Sequence, residues 1–187
     1  GASGFLGSHT VKALSAQGHR VRALTRQGRS VQGAETLLVE NYLDPKSLEP
    51  SLRGVETVIH LAGLAHVPPW RRSWMADSWQ RRMEEAHVRP AEALGEAAKR
   101  QGVHRFVFIS SLAAMASTSE VAIEPTSTPQ PSGAYGRAKL RAEHCLRKIC
   151  EGSAMQLVTL RPPMIYGRGG PGNPGLLASW IRRGWPV

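Results

Sequence analysis

Residues 1–17 read GASGFLGSHTVKALSAQ, in which three glycines at intervals of three are followed by a helical pattern. Apolar side chains recur at Leu6, Val11 and Leu14, close to helical spacing, and Gly18 supplies a stop signal. Glycines allow a phosphate group to approach backbone N–H groups closely, and a helix N-terminus attracts anions. The stretch therefore predicts a phosphate-binding turn that leads into a helix, although such turns are common and this one alone is not specific.

Short apolar strands alternate with amphipathic helices along the rest of the chain. Strands are predicted at residues 19–26, 36–41, 57–63, 105–111 and 155–162, and helices at residues 44–52, 75–101 and 134–150. Parallel neighbours in a sheet need crossover connections, and alternating strands and helices provide them. The pattern predicts a single α/β domain over residues 1–187, built on a doubly wound parallel sheet.

The glycine turn also bears on the extent of the protein. A turn of this kind normally follows a strand, and that strand is central in a doubly wound sheet. The sequence has no residue before Gly1 to form it. We expect the natural protein to be longer at both ends, with the first strand before Gly1 and a substrate-binding part after Val187.

The composition limits the classes to which the protein can belong. The net charge of +10 comes from 24 Lys and Arg against 14 Asp and Glu. These basic residues are spread along the chain, so we favour a solvated surface and keep a basic nucleic-acid-binding module as an alternative. Cys145 and Cys150 fall on different faces of a predicted helix, so no metal site is predicted. With no apolar run of about 18 residues, we expect no membrane span and a cytoplasmic protein.

The end of the second predicted strand indicates which cofactor the turn would hold. An NAD-binding sheet carries an acidic residue there for the ribose hydroxyls. Here residues 25–29 read TRQGR, with no acid. Arg26 can instead hold a 2′-phosphate through charge-assisted hydrogen bonds, the alternative being an exposed arginine at a strand end. We therefore favour NADP over NAD as the cofactor, with NAD left open.

Candidate chemistry lies on the helix AYGRAKLRAE and on the strand before it. Tyr135 and Lys139 are four residues apart, so both side chains share one helix face. A nearby ammonium group lowers the tyrosine pKa from its usual value of about 10 and suits the phenol to proton transfer. Ser111 ends the strand FVFISS at the carboxyl edge, where ligands bind in such sheets. The alternatives are a surface pair and a strand-end cap.

Five segments extend this pattern over essentially the whole chain: GASGFLG, VIHLAG, GEAAKRQGVHRFVFISS, YGRAK and RPPMIYG with the Gly-rich loop after it. Together they resemble the extended short-chain dehydrogenase/reductase family, in its NAD(P)-dependent sugar-nucleotide epimerase/dehydratase branch. The resemblance implies a Rossmann-like NAD(P)-binding domain.

The resemblance also implies roles for residues at matching positions. Ser111, Tyr135 and Lys139 match the catalytic residues, and Lys139 also contacts the nicotinamide ribose. The matches to cofactor-binding positions are Gly1, Gly4, Phe5, Leu6 and Gly7 in the pyrophosphate loop, Leu61, Ala62 and Gly63 on the adenosine side, and Pro162 beside the nicotinamide.

The chain departs from the family's pattern at three places. His87 stands where the family usually has Asn, and Pro90 where it has Gly. Glu40-Asn41 replaces a Gly-Asp pair, so adenine recognition would pass from a carboxylate to the amide of Asn41. His87 either orders water in place of Asn or is a passive helix residue.

The resemblance implies hydride transfer between a nicotinamide cofactor and a nucleotide-linked sugar. HLAGLAHV, SGAYGRAK and RPPMIYGRGGPGN look most like bacterial surface-polysaccharide enzymes that act on UDP-sugars. Ser111 is followed by Leu-Ala-Ala instead of the acidic pair of the dehydratases, which leaves a 4-epimerase or a 4-keto reductase/4-dehydrogenase. A non-enzymatic NADP-sensing protein of the same fold is the alternative. A homodimer through the two long helices is a further expectation.

Overall fold

The computed structural model describes residues 1–64, 76–116, 118, 122–124, 126–167, 170 and 179–184. Helices and strands alternate along these residues. The helices are α1 (Phe5–Ala16), α2 (Pro45–Leu52), α3 (Ala76–Arg100) and α4 (Ala134–Cys150), and the strands are β1 (Arg22–Thr25), β2 (Glu35–Leu38), β3 (Thr57–His60), β4 (Arg105–Ile109) and β5 (Gln156–Leu160). A short 3₁₀ turn at Leu112–Ala114, which the sequence pattern did not predict, follows β4.

The strands form two parallel sheets, β1–β2 and β3–β4–β5. β4 is the central strand of the larger sheet, where Val107 is paired with Ile59 on one side and with Val158 on the other. α3 connects β3 to β4 and α4 connects β4 to β5, so both parallel pairs of the larger sheet have a helical crossover, whereas residues 26–34 connect β1 to β2 without a helix. The predicted α/β class with parallel sheets is confirmed.

The core lies between the larger sheet and the helices α3 and α4. Side chains alternate along β4, where Phe106 and Phe108 are fully buried and Val107 is half-buried. Burying a phenylalanine contributes about 1.5–3 kcal/mol relative to leaving it exposed. Alanines from both helices and Leu146 complete this cluster, so α4 is held firmly against the sheet.

All five predicted strands end earlier in the structure than in the sequence pattern, β1 at Thr25 and β2 at Leu38. β3 ends at His60, β4 at Ile109 and β5 at Leu160. β4 stops before Ser111 because the Ser111 hydroxyl accepts a hydrogen bond from the Ala113 N–H at 3.2 Å and caps the 3₁₀ turn. The residues after each strand therefore lie in loops at the carboxyl edge of the sheet, where ligands bind in folds of this class.

A cleft of about 970 Å³ separates the two sheets, and residues of β1 and β3, including Leu24 and Val58, line it. β1 consequently pairs with β2 and not with β3. The cleft lies where the sequence predicts a central strand, and that strand stays a prediction.

The two long helices pack against each other on the same sheet, and a homodimer through them stays a prediction. Among the helices that the structure describes, none is both long enough and apolar enough to cross a membrane.

Candidate active site

The glycine turn is packed tightly against the end of β3. A Cβ atom on Gly1 would stand 2.3 Å from the carbonyl carbon of Leu61 and 2.4 Å from the nitrogen of Ala62. A Cβ atom on Gly7 would stand 2.1 Å from the carbonyl oxygen of Gly1. These separations are far below van der Waals contact, so this backbone accepts only glycine at both positions. The structure thus brings together the two segments that the sequence assigned to cofactor binding.

The start of α1 provides a site for negative charge. The Gly4 N–H donates to the Gly1 carbonyl at 3.0 Å, which closes the turn before the helix begins at Phe5. Gly4 makes no side-chain cap, and the first turn contains no acidic residue. The first N–H groups of a helix lack intrahelical partners and lie at the positive end of its dipole. Phe5, Leu6 and Gly7 therefore present the donors that a pyrophosphate requires.

Arg26 and Asn41 lie near each other at the edge of the smaller sheet. Arg26 is exposed directly after β1. Burial raises the pKa of Tyr42 to about 12 while the charge of Arg26 acts in the opposite direction, so Arg26 is close to that phenol. Asn41 is exposed, and its Oδ1 accepts a hydrogen bond from the Leu43 N–H at 2.9 Å. An arginine and an amide are thus available together on this surface.

Tyr135 and Ser111 meet where α4 begins. A Cβ atom on Gly136 would stand 2.1 Å from the carbonyl oxygen of Ala113, so glycine at 136 lets α4 approach the 3₁₀ turn closely. This approach brings the Tyr135 phenol close enough to the Ser111 hydroxyl for Ser111 to influence its pKa. Pro162 is beside them, since its carbonyl accepts from the Leu112 N–H at 2.9 Å.

Lys139 lies one helical turn after Tyr135 and is only 5% exposed. Its Nζ donates to the carbonyl of Ile109 at 2.9 Å and lies 5.9 Å from the centre of the Tyr135 ring. Burial lowers the pKa of Lys139 to about 8, and the Glu143 carboxylate acts in the opposite direction. Lys139 therefore carries its charge at neutral pH.

The predicted lowering of the Tyr135 pKa was wrong for this structure. Burial raises the pKa of Tyr135, and the Ser111 hydroxyl beside it acts in the opposite direction without cancelling the effect of burial. The reason is that the phenol is largely removed from water, while the ammonium group is directed at the Ile109 carbonyl. The phenol is therefore protonated at neutral pH.

His87 lies between Gly63, a candidate cofactor-binding residue, and Tyr135, a candidate catalytic residue. Its Cε1 lies 2.5 Å from where a Cβ atom on Gly63 would stand, and its ring packs edge-on to Tyr135 with 5.2 Å between centroids. Its Nε2 lies 3.2 Å from the Leu64 carbonyl oxygen, and its buried Nδ1 has no hydrogen-bond partner among the described residues. Burial and, to a lesser extent, the Lys139 charge lower the pKa of His87 to about 4. This neutral imidazole lies within the site.

A buried ion pair behind the candidate catalytic residues was missed by the sequence analysis. Glu143 is fully buried, and its carboxylate accepts from Arg161 Nε at 3.0 Å and Nη2 at 2.5 Å. The Ser110 hydroxyl donates to the same carboxylate at 2.5 Å. Helical spacing was an available signal, because Glu143 is four residues after Lys139. Nothing local to α4 indicated Arg161.

In the part of the chain that the structure describes, no group of three or more His, Cys, Asp or Glu residues is placed to hold a metal ion.

The comparison with known families agrees with this site. Residues 1–184 match the family described as the NAD dependent epimerase/dehydratase family. The chain belongs to this family. It is 26% identical over 191 residues to the UDP-glucose 4-epimerase of Vibrio cholerae, a match that covers all of this chain and 57% of that protein.

The chain is also similar to two further proteins, a reductase and a protein whose structure was solved with NAD. The ceramide reductase of Caulobacter vibrioides is 32% identical over 173 residues, which cover 90% of this chain and 46% of that protein. The solved structure of MoeE5 in complex with UDP-glucose and NAD is 29% identical, with a TM-score of 0.79 over all of this chain and 61% of that one. This likeness confirms the Rossmann-like fold. The chain spans about half the length of the curated relatives that it matches.

Proposed function

We propose that the protein is an NAD(P)-dependent enzyme that acts on a nucleotide-linked sugar, as a 4-epimerase or a 4-keto reductase/4-dehydrogenase. The observation that carries the proposal is the approach of the Tyr135 and Ser111 side chains where α4 begins, with charged Lys139 buried on the same face of α4. Two relatives support a UDP-sugar as substrate: the UDP-glucose 4-epimerase of V. cholerae, and MoeE5, which was solved with UDP-glucose and with UDP-glucuronic acid.

The residues at the carboxyl edge of the sheet fit a dinucleotide. The glycine turn leaves no room for side chains, and the start of α1 directs N–H groups toward a pyrophosphate. The residues that would hold the cofactor are Gly1, Gly4, Phe5, Leu6, Gly7, Leu61, Ala62, Gly63, Tyr135, Lys139 and Pro162. A nicotinamide cofactor bound there supplies or accepts the hydride.

We also propose a preference for NADP, on the basis of Arg26. An exposed guanidinium group at the end of β1 suits a 2′-phosphate, and Asn41 nearby offers an amide to the adenine. MoeE5 was solved with NAD, so the choice between the two cofactors needs a direct measurement.

Each catalytic side chain has a distinct task in the proposed reaction. Tyr135 transfers a proton to or from the sugar oxygen at the reacting carbon, and Ser111 donates a hydrogen bond to the same oxygen. Lys139 stabilises negative charge on Tyr135 once its proton has left. The turn after Ser111 reads Leu-Ala-Ala and offers no acid for elimination, which favours epimerisation or oxidation and reduction over dehydration.

Replacing Tyr135 by Phe in the full-length protein tests this mechanism. The ring still packs against His87, so the fold and cofactor binding should persist, while the loss of the hydroxyl should slow hydride transfer by about 10²–10⁴-fold. Single-turnover hydride transfer with UDP-glucose and with UDP-glucuronic acid is followed at the reduced-nicotinamide absorbance. Ser111→Ala should also lower turnover, with cofactor affinity nearly unchanged.

Tyr166→Phe is the matched control, because Tyr166 is 75% exposed and should tolerate the change at full activity. Near-normal hydride transfer in Tyr135→Phe would remove the proposed mechanism. Tight NADP binding by the wild-type protein without turnover of any sugar nucleotide would favour the non-enzymatic sensor.

A further inference from the structure

Glu143 lies in the protein interior, where a negative charge needs several strong hydrogen-bonding or ionic partners. Its side chain is fully removed from water, and an isolated carboxylate in such a place is strongly disfavoured. It has two kinds of partner: the Ser110 hydroxyl on β4's C-terminal side and the guanidinium group of Arg161, which grips both carboxylate oxygens. The Arg161 side chain is 24% exposed, so the carboxylate is the more deeply buried partner.

These partners are direct neighbours of the proposed catalytic residues. Ser110 precedes Ser111, and Arg161 precedes Pro162. The Ser110 N–H also donates to the Leu160 carbonyl at 2.7 Å, which ties the end of β4 to the end of β5. A carboxylate bound to both side chains therefore fixes α4 relative to the two loops that carry Ser111 and Pro162.

Glu143 also acts on Lys139 by charge. The two residues are four apart on α4 and share one face of the helix. The carboxylate raises the pKa of Lys139 against the larger effect of burial, which lowers it. Within this buried region the Glu143 carboxylate thus stabilises two cations. It contacts Arg161 directly and acts on Lys139 across one turn of α4.

We propose that Glu143 is a positioning residue for the candidate active site: through Arg161 and Ser110 it joins α4 to the carboxyl ends of β4 and β5, and its negative charge keeps the ammonium group of Lys139 in its charged form beside Tyr135. The role goes beyond the proposed function and rests on it, since Lys139 is taken there as catalytic.

Other groups around Lys139 do not supply this charge. The groups that face it are Tyr135 and Glu143 on α4, His87 on α3, His60 on β3, and the Phe108 ring and Ile109 carbonyl on β4. Burial, together with the charge of Lys139, lowers the pKa of His60 to about 3 and that of His87 to about 4, so both rings are neutral at neutral pH. Tyr135 is protonated there as well, which leaves Glu143 as the anion that faces Lys139 among the described residues.

The test measures the titration of Lys139 directly, by ¹³C or ¹⁵N NMR of lysine-labelled full-length protein, with the resonance assigned from its loss in Lys139→Arg. Glu143→Gln keeps the shape of the side chain and removes its charge, so the pKa of Lys139 should fall by about one pH unit or more. The alkaline limb of kcat with UDP-glucose should move to lower pH by the same amount, with little change in KM. Glu143→Asp should restore both toward wild type.

Glu49→Gln is the matched control, because Glu49 also pairs with an arginine, Arg100, at 3.2 Å on the surface between α2 and α3. It should leave the titration of Lys139 unchanged. A folded Glu143→Gln protein in which Lys139 titrates as in wild type would show that Glu143 has only a structural role and would overturn the proposal.

A second variant keeps the proposal testable if Glu143→Gln does not fold. Arg161→Gln removes the cation that keeps the buried Glu143 carboxylate ionised, so Glu143 should take up a proton and the pKa of Lys139 should fall as in Glu143→Gln, and an unchanged titration would overturn the proposal. Because these titrations need no turnover, they are independent of the proposed reaction. Shifted titrations together with a fully active Tyr135→Phe protein would retain the action of Glu143 on Lys139 and reject the catalytic mechanism.

Discussion

Tyr135 has two buried bases around it whose charge states differ at neutral pH. Lys139 has its pKa lowered to about 8 and His87 to about 4, in both cases mainly by burial. The pKa of Lys139 stays above 7 and that of His87 falls below it, because the unperturbed pKa of a lysine is much higher than that of a histidine. Around pH 7 the site therefore holds one positive charge next to a neutral imidazole, which suits a tyrosine that must lose and regain a proton.

Arg26 is the residue on which the proposed preference for NADP rests. In the full-length protein we expect NADPH to bind more tightly than NADH, and Arg26→Ala to weaken NADPH binding by about tenfold to a hundredfold, since a hydrogen bond to a charged group contributes about 1.5–3 kcal/mol. NADH binding should change little. Fluorescence titration of both nucleotides measures this.

Arg29→Ala is the control for that titration, because Arg29 is also exposed and stands three residues further along the same loop. Equal or tighter binding of NADH by the wild-type protein would show that Arg26 does not hold a 2′-phosphate.

At the level of elements, the position of α4 decides whether the catalytic side chains meet. Its first turn contacts the 3₁₀ turn after β4 through Gly136, and its last residues pack in the core with Leu146 and Ile149. Glu143 fastens the middle of the same helix to the loop after β5 through Arg161. α4 is therefore packed against the rest of the domain at its start, middle and end, and these contacts fix the position of Tyr135 in its first turn.

Gly136→Ala tests this packing. The added Cβ would stand 2.1 Å from the Ala113 carbonyl oxygen, so α4 must shift, and we expect a loss of about 1–3 kcal/mol of unfolding free energy together with lower hydride-transfer rates. Urea denaturation and single-turnover kinetics measure the two effects. Gly133→Ala is the control at the start of the same helix, since a Cβ atom there meets no atom within 4 Å. Equal stability of the two variants would contradict the close packing.

In the molecule as a whole, the cleft separates the two-stranded sheet β1–β2 from the three-stranded sheet β3–β4–β5. β4 is hydrogen-bonded on both sides and covered by α3 and α4, whereas β1 is paired on one side and faces the cleft on the other. Local opening requires less free energy where fewer buried contacts and hydrogen bonds are broken. The smaller sheet should therefore open before the larger one.

Amide hydrogen exchange on the 187-residue chain tests this division. After correction for intrinsic rates, the amides of β4 should exchange at least about tenfold more slowly than those of β1, which corresponds to about 1.4 kcal/mol in opening free energy. If a strand fills the cleft in a longer chain, as the sequence predicts, β1 should gain protection there and β4 should not. Equal protection of β1 and β4 in the 187-residue chain would contradict the division.

Much of the fold could be predicted because its signals are local. The alternation of apolar strands with amphipathic helices predicted the parallel α/β class, and the predicted helix at 75–101 is present as Ala76–Arg100. Strand ends were less predictable, since apolar residues continue past β3 into Leu61 and Ala62, and the serine pair after β4 is compatible with either strand or loop. The 3₁₀ turn at Leu112–Ala114 depends on one hydroxyl cap, which the apolar pattern does not reveal.

The sequence by itself determined which chemical groups the site contains and which of them share a helix face, because a four-residue step on a helix has a fixed geometry. Only the tertiary structure decided which distant segments meet: Glu143 with Arg161, Gly136 with Ala113, and His87 with Gly63. It also decided the direction in which the pKa of Tyr135 moves, because that direction depends on burial by other elements. Periodicity reports how one segment is buried, whereas contacts between segments arise only when the elements pack together.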